Sequence, residues 1–378
     1  MNSRLAVVPR AGSPVAVRFG VPLLSLAAAL VLGGVVLRAV GNDPVEAYRS
    51  MFDASLRGWR PMTRTLTYAT PLILTGLAAA IAFRMRVYNI GAEGQLFAGA
   101  IAGSWVALIL PEGTPKPLML VAMLLGGVAA GVIWAGLAAV PKAFLGTDEI
   151  ITTLMLNFVA LGLMNYLIFG SRTFWRDPAR PVPQGLKIPA SAELPTLSGR
   201  LHIGIIVTVA VAVVLWLVLR TTTWGFRVRV IGESHRVARY AGIAVPAATL
   251  VVMSISGGLA GLAGAIEVSG VTKSLQPRAL AIELGYTGIV IAAVARSNPL
   301  GVVPVAVFLA AVATSGGTLQ SLGIPVEVAV MLQGMIFLAV TAGEFFVTNR
   351  LTVVRTTAPE PATTAPTAAP MASAEATR

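Results

Sequence analysis

The chain has 378 residues, 56% hydrophobic and only 12% charged, with a mean hydropathy of +0.81. Soluble domains carry about 25% charged residues, so the composition excludes an ordinary soluble fold and indicates a polytopic membrane protein. The formal charge of +12 sits mostly in connections between apolar segments, which points to the membrane surface rather than to nucleic acid, and the absence of cysteine with only His202 and His235 present excludes disulfides, thiolate nucleophiles and Cys- or multi-His-ligated metal.

Residues 1–18 form a polar, basic segment with Arg4, Arg10 and Arg18. The apolar run 19–37 exceeds a signal-peptide core of about 7–15 residues and reads as a retained first helix. Further apolar segments fall near 67–83, 91–110, 118–140, 148–170, 202–219, 246–270, 283–295, 300–319 and 323–347. This gives an all-α transmembrane domain over 19–347 with about ten spans, some short or broken, and 283–295 is the best candidate for a broken one. Ten crossings put both termini on one side. Basic residues divide almost evenly between the two sides, so the positive-inside rule gives slight support to a cytoplasmic N-terminus. Residues 348–378 read as a cytoplasmic tail, rich in Pro, Ala and Thr and largely disordered. Thr75-Gly76 before Phe83-Arg84 echoes Thr287-Gly288 before Ala295-Arg296, a weak internal repeat.

The most informative stretch is Tyr88-Asn89-Ile90-Gly91-Ala92-Glu93-Gly94-Gln95. Asn89, Glu93 and Gln95 are costly beside lipid unless paired, hydrated or used, and intramembrane ionisable groups are functional candidates. A polar helix turn at the membrane surface is the plainer alternative. Gly146-Thr147-Asp148-Glu149 opens a helix, where Thr147 can cap and the two acids suit the first turn. Asn157, inside that apolar helix, suits an interhelical hydrogen bond or a substrate contact. Glu267, Gln333 and Glu344 also lie in or near apolar segments.

Residues 171–200 carry Phe174, Trp175, Arg176, Asp177 and several prolines, too polar to span. They could receive a partner or cap a path; a disordered surface loop is the more ordinary reading. In 220–245, Ser234 can cap a short helix and Gly242 can end it. That helix offers Arg236, Arg239 and Tyr240 either to a partner's groove or to the membrane surface. Gly126, Gly127 and Gly131, and Gly257, Gly258, Gly261 and Gly264, are small-residue faces for close helix packing. No phosphate-binding loop and no His-Glu-x-x-His motif occurs, so the chain is not expected to hydrolyse nucleotide.

Three ordered stretches carry a family resemblance. They are Tyr88 to Gln95 with Thr75-Gly76-Leu77-Ala78, Gly146 to Ile150 with Met155-Leu156-Asn157, and Arg229 to Ser234 with Ala238 to Ile243. The chain resembles the membrane permeases of bacterial ABC importers in the ribose/nucleoside and branched-chain amino-acid transport superfamily, most closely the nucleoside branch. Tyr88 stands where that branch would have Phe.

The resemblance implies an inner-membrane subunit with both termini cytoplasmic and no cofactor of its own, ATP and Mg belonging to the ATPase. The expected partners are a second homologous permease, a cytoplasmic ABC ATPase and an extracytoplasmic substrate-binding lipoprotein, with no nucleic acid. Asn89, Glu93, Gln95 and Asn157 are the expected pathway or gating residues. Gly232, Glu233, Arg236, Arg239, Tyr240 and Gly242 are the expected ATPase-coupling residues. The substrate would be a nucleoside or simple sugar. An ion-coupled secondary transporter using Glu93 or Glu267 is the alternative. A channel would differ by non-saturating flux, and a membrane enzyme lacks a catalytic constellation.

Overall fold

The computed structural model describes residues 2–9, 14–111, 113–170, 175–321 and 323–356. The chain opens with strand β1 (Asn2–Pro9) and closes with β4 (Asn349–Thr356), and the two pair antiparallel from Asn2 opposite Thr356 to Pro9 opposite Asn349. The ribbon holds both ends of the described chain on one side of the helices. The segment read as tail opens with this strand, and in the sequence apolar Leu351 and Val353 alternate with polar Arg350 and Thr352 at the period of a strand. The tail beyond Thr356 and Phe174 lie outside the described residues, as does the Glu344 side chain.

Between the strands run α1 (Val15–Ala39), α2 (Pro44–Ser55), α3 (Trp59–Arg84), α4 (Ala92–Ile109), α5 (Lys116–Leu145), α6 (Glu149–Asn165) and then β2 (Thr196–Ser198) with β3 (Leu201–His202). They continue as α7 (Gly204–Thr221), α8 (Thr223–Glu233), α9 (His235–Tyr240), α10 (Val245–Glu267), α11 (Pro277–Leu280), α12 (Leu284–Val294), α13 (Pro299–Ser321) and α14 (Val326–Thr348). Among the described residues, 9 helices or helix pairs are long and apolar enough to cross a membrane, or up to 10 with α1 and α2 counted as one bent span. The first helix starts at Val15, ahead of the apolar run. Asp43 caps α2, which turns 115° from α1.

Close backbone approach organises the centre. A Cβ at Gly131 would overlap the Gly257 carbonyl, one at Gly261 the Gly127 carbonyl, and one at Gly99 the Gly261 carbonyl. The small-residue faces of α5 and α10 therefore meet each other and α4, as small-xxx-small packing requires. Gly76 and Gly288, from the internal echo, face across the α3–α12 contact: a Cβ on Gly76 would strike Ile291, and one on Gly288 would strike Thr75.

Residues 175–203 are an ordered cover rather than a loose loop. Gly185, Ile188 and Leu194 donate backbone hydrogen bonds to Leu275, Lys273 and Ser269, and Trp175 is buried. Glu193 joins Lys187 at 3.6 Å and Lys273 at 3.2 Å.

Candidate functional site

Residues 85–91 turn back into the bundle, so α4 begins deep inside it. Asn89 Nδ2 donates to Ser256 Oγ at 2.8 Å, and that hydroxyl donates to the Ala78 carbonyl at 2.6 Å. Ala78 lies six residues, about 9 Å, before the end of α3. Asn89 and Gln95 exchange two amide hydrogen bonds of 2.9 and 3.0 Å. They engage each other rather than Glu93.

The first turn of a helix leaves amide donors unpaired, and a bilayer interior offers no water for them. α4 starts at Gly91, which has no side chain to cap it. Asn157 of α6 supplies the cap from another helix: its Oδ1 accepts from the Gly94 amide at 2.8 Å. Its Nδ2 donates to the Ile90 carbonyl at 2.9 Å and to the Tyr286 hydroxyl at 3.1 Å.

The same device recurs at α12. Glu283 precedes it in a left-handed conformation, φ 61°, and makes no side-chain cap. Glu93 of α4 fills the role. Its carboxylate accepts from the Gly285 amide at 2.5 Å, and the Glu283 and Tyr286 amides also point at it. A carboxylate at a helix N-terminus is stabilised by those donors and by the helix dipole. Nearby, Thr75 Oγ1 donates to the Leu284 carbonyl at 2.9 Å, nine residues (about 14 Å) before the end of α3. The segment 283–295, expected to be broken, is itself the continuous helix α12; the interruption lies just ahead of it, between α11 and α12, the sharply bent pair is α1–α2, and α12 begins beside Thr75 in the second half of α3.

Glu149 pins the approach to this centre: its carboxylate meets Lys142 Nζ at 2.5 Å and accepts from the Tyr88 amide at 3.2 Å. The helix cap is Asp148, accepting from Ile150 and Ile151, and not Thr147. Asp148 is one residue closer, so its carboxylate reaches the first-turn amides.

A cavity of about 520 Å³ opens on the other side of α12, walled by Tyr68 of α3, Glu283, Tyr286, Ala313 of α13, and Gln333 and Phe337 of α14. A smaller chamber of about 200 Å³ shares Tyr68 and Ala313 with it and reaches Arg64, Arg200 and Glu267. Asn89, Glu93, Gln95 and Asn157 are all buried and none lines either chamber. They stand behind the wall that Glu283 and Tyr286 present. Sequence reasoning marked the buttress and, of the lining, Gln333 and Glu267; it passed over Tyr68, Glu283 and Tyr286, which no local pattern sets apart.

At the end of the bundle where α3 finishes, Thr222 caps α8 through the Gly225 amide at 3.1 Å and Ser234 caps α9 through Val237 at 3.3 Å. Glu233, Arg236, Arg239 and Gly242 are exposed, and Tyr240 is 80% exposed with the Arg236 guanidinium 5.8 Å from its ring centre. Gly242, with φ 72°, ends the pair. Gly232 differs from the other expected coupling residues: it is buried, and a Cβ there would overlap the Arg84 carbonyl. It seats α8 on α3 and has no surface to offer. Arg84 Nε donates to the Ser297 carbonyl at 2.8 Å, joining α3 to the α12–α13 turn.

His202, at the base of the 175–203 cover, is fully buried. Its Nδ1 accepts from the Gly204 amide at 3.2 Å. Burial, reinforced by Lys273, pushes its pKa down to about 4. No group of three or more His, Asp or Glu suited to a metal occurs among the described residues.

Residues 62–341 match the family model described as branched-chain amino acid transport system / permease component. The chain is similar to a glucose ABC transporter permease protein of Haloferax volcanii, 34% identical over 359 residues that cover 92% of this chain and 93% of the relative. It is similar to a guanosine ABC transporter permease protein of Bacillus subtilis, 32% identical over 309 residues covering 81% and 86%. A nucleoside ABC transporter permease protein of Lactococcus lactis is 28% identical over 315 residues covering 82% and 86%.

Proposed function

Because the chain belongs to the permease-component family of branched-chain amino acid transport systems, as a multi-pass, non-catalytic ABC importer subunit, we propose that it forms the path for a nucleoside or simple sugar. An extracytoplasmic binding protein delivers the substrate, a second homologous permease completes the path, and a cytoplasmic ABC ATPase drives it. Relatives of both substrate kinds support this reading. The observation that carries it is the chamber of about 520 Å³, with a smaller one of about 200 Å³ adjoining it at Tyr68 and Ala313, in a chain without a nucleotide-hydrolysing motif.

In this reading the α8–α9 end and both termini are cytoplasmic, and the 175–203 cover faces outward. Exposed Glu233, Arg236, Arg239 and Tyr240 dock the ATPase, while Gly232 transmits its position to α3. Asn89, Glu93, Gln95 and Asn157 hold the gating geometry rather than touch substrate.

The test is uptake by cells carrying the complete importer. Uptake that stops when the partner ATPase is inactivated and survives an ionophore supports the reading. The opposite pair of results would establish an ion-coupled transporter instead.

A further inference from the structure

The larger chamber has a chemistry of its own. Its volume of about 520 Å³ suits a small organic molecule. Three of its walls end in aromatic rings, Tyr68 from α3, Tyr286 from α12 and Phe337 from α14. Polar side chains are few and sit mainly at Glu283, Thr287 and Gln333. Such a lining suits a ligand with a broad π face and one cluster of hydroxyls.

Glu283 is exposed to this space, and its backbone is fixed in the left-handed region at the start of α12. A carboxylate accepts two O–H donors at once, which is what the vicinal hydroxyls of ribose present. Gln333 both donates and accepts, so it can serve a hydroxyl or a base edge. Tyr286 is held from behind, since its hydroxyl accepts from Asn157, and its ring is thereby set as a fixed wall.

We propose that this chamber is a ribonucleoside contact site within the permease itself, with Tyr68, Tyr286 and Phe337 taking the base and Glu283 with Gln333 taking the ribose hydroxyls. It rests on the importer reading above and adds a substrate class and a site. Selection then occurs in this chain as well as in the binding protein. A hexose lacks the π face that the three rings serve, and a 2′-deoxynucleoside offers Glu283 one hydroxyl in place of two.

The experiment is photolabelling of the assembled permease–ATPase complex in lipid nanodiscs, without binding protein, using 8-azidoadenosine. Adducts are mapped by peptide sequencing, and adenosine, 2′-deoxyadenosine and glucose compete. The expected adducts lie on α3, α12 and α14, displaced by adenosine at concentrations at least tenfold below those needed of 2′-deoxyadenosine or glucose. Stacking of a base on an aromatic side chain implies that Phe337→Leu lowers labelling affinity about fivefold or more. Glu283→Gln, on an exposed side chain with no packing role, is expected to erase the preference for adenosine over 2′-deoxyadenosine while adducts persist.

Adducts elsewhere, or equal displacement by glucose, would overturn the proposal. ATP-driven nucleoside uptake by the complete importer, measured alongside, separates the two readings. Uptake without chamber labelling overturns this site and leaves the importer reading intact. Chamber labelling with no ATP dependence of uptake supports the site and overturns the importer reading.

Discussion

Glu93 is the sharpest place to perturb this protein. Its carboxylate caps α12 from α4, through the 2.5 Å bond from the Gly285 amide. Hydrogen bonds to charged groups contribute about 1.5–3 kcal/mol, and loss of a helix cap costs about 0.5–2 kcal/mol. Glu93→Ala removes the acceptor and leaves buried amides unpaired, so the local cost is about 3 kcal/mol or more. Glu93→Gln retains an oxygen acceptor and nearly the same shape, and loses only the charge-assisted part, about 1 kcal/mol. Because Glu283 and Tyr286 ride on this turn, that energy appears as misplacement of the cavity wall. The assay is ATP-driven uptake by the complete importer at matched expression, with thermal unfolding of the purified complex. Partial uptake in Glu93→Gln and much weaker uptake in Glu93→Ala is expected, with Glu93→Ala the less stable. Equal and complete loss in both would refute the capping argument and point to an essential charge, hence ion coupling. Full activity in both would refute any role for the carboxylate.

Other regions give independent tests. Gly131→Ala forces a Cβ into the Gly257 carbonyl; overpacking costs about 1–3 kcal/mol, to be read as a lower unfolding temperature of the complex. Arg239→Ala and Tyr240→Ala act on exposed side chains, so ATPase co-purification is expected to weaken while membrane insertion and thermal stability stay unchanged; full retention of the ATPase would remove the docking assignment. The native chain has no cysteine, so Ser234→Cys is a clean topology probe, expected to label only after the cytoplasmic side is opened. His202 has its pKa lowered to about 4 in the fold against about 6.5 unfolded. The unfolded chain therefore binds more protons between those values, and stability is complete above about pH 6.5, falls as pH drops through this window, and is flat in this respect below about pH 4. The loss amounts to about 3 kcal/mol, and His202→Gln is expected to flatten that pH dependence of the thermal unfolding midpoint.

Much of this architecture was legible because apolar length and small-residue spacing are local signals. The spans follow from runs such as 118–140, and the glycine faces of α5 and α10 follow from spacing, while their meeting each other does not. The short α9 was visible from Ser234 and Gly242. What could not be read were the partners of polar residues. Asn157 was marked as an interhelical hydrogen bonder, but nothing local says that it caps α4. Likewise Glu93 was marked as costly and held, whereas its relation to Gly285 spans 192 residues. The ribbon between Asn2–Pro9 and Asn349–Thr356 joins opposite ends of the chain, and compositional bias beyond it masked a strand. Gly232 looked like the exposed coupling residues because a close backbone approach leaves no trace in the glycine itself.

The contacts also link the two ends of the molecule through one helix pair. α3 is tied to the α12 region at two levels, by Thr75 to Leu284 in its second half and by Arg84 to Ser297 at its end. Two attachments about 14 Å apart resist rotation of one helix on the other, which a single one would permit. Gly76 and Gly288 close the interval without side chains that could slide. The α3–α12 pair is thus joined at two levels, with Gly232 of α8 seated on its Arg84 end and Glu283 and Tyr286 on its cavity end. α8 cannot shift against Arg84 without moving that end, because the contact is backbone on backbone. Glu93 and Asn157 hold the helix starts beside the cavity. Their caps fix the start of α12, and with it Glu283 and Tyr286, opposite Phe337 and Gln333 of α14. The Glu93 substitutions and the Arg239 and Tyr240 substitutions therefore act at opposite ends of this pair. Under the proposed docking, the first set is expected to leave ATPase co-purification intact while lowering uptake, and the second to weaken co-purification and leave the cavity wall in place.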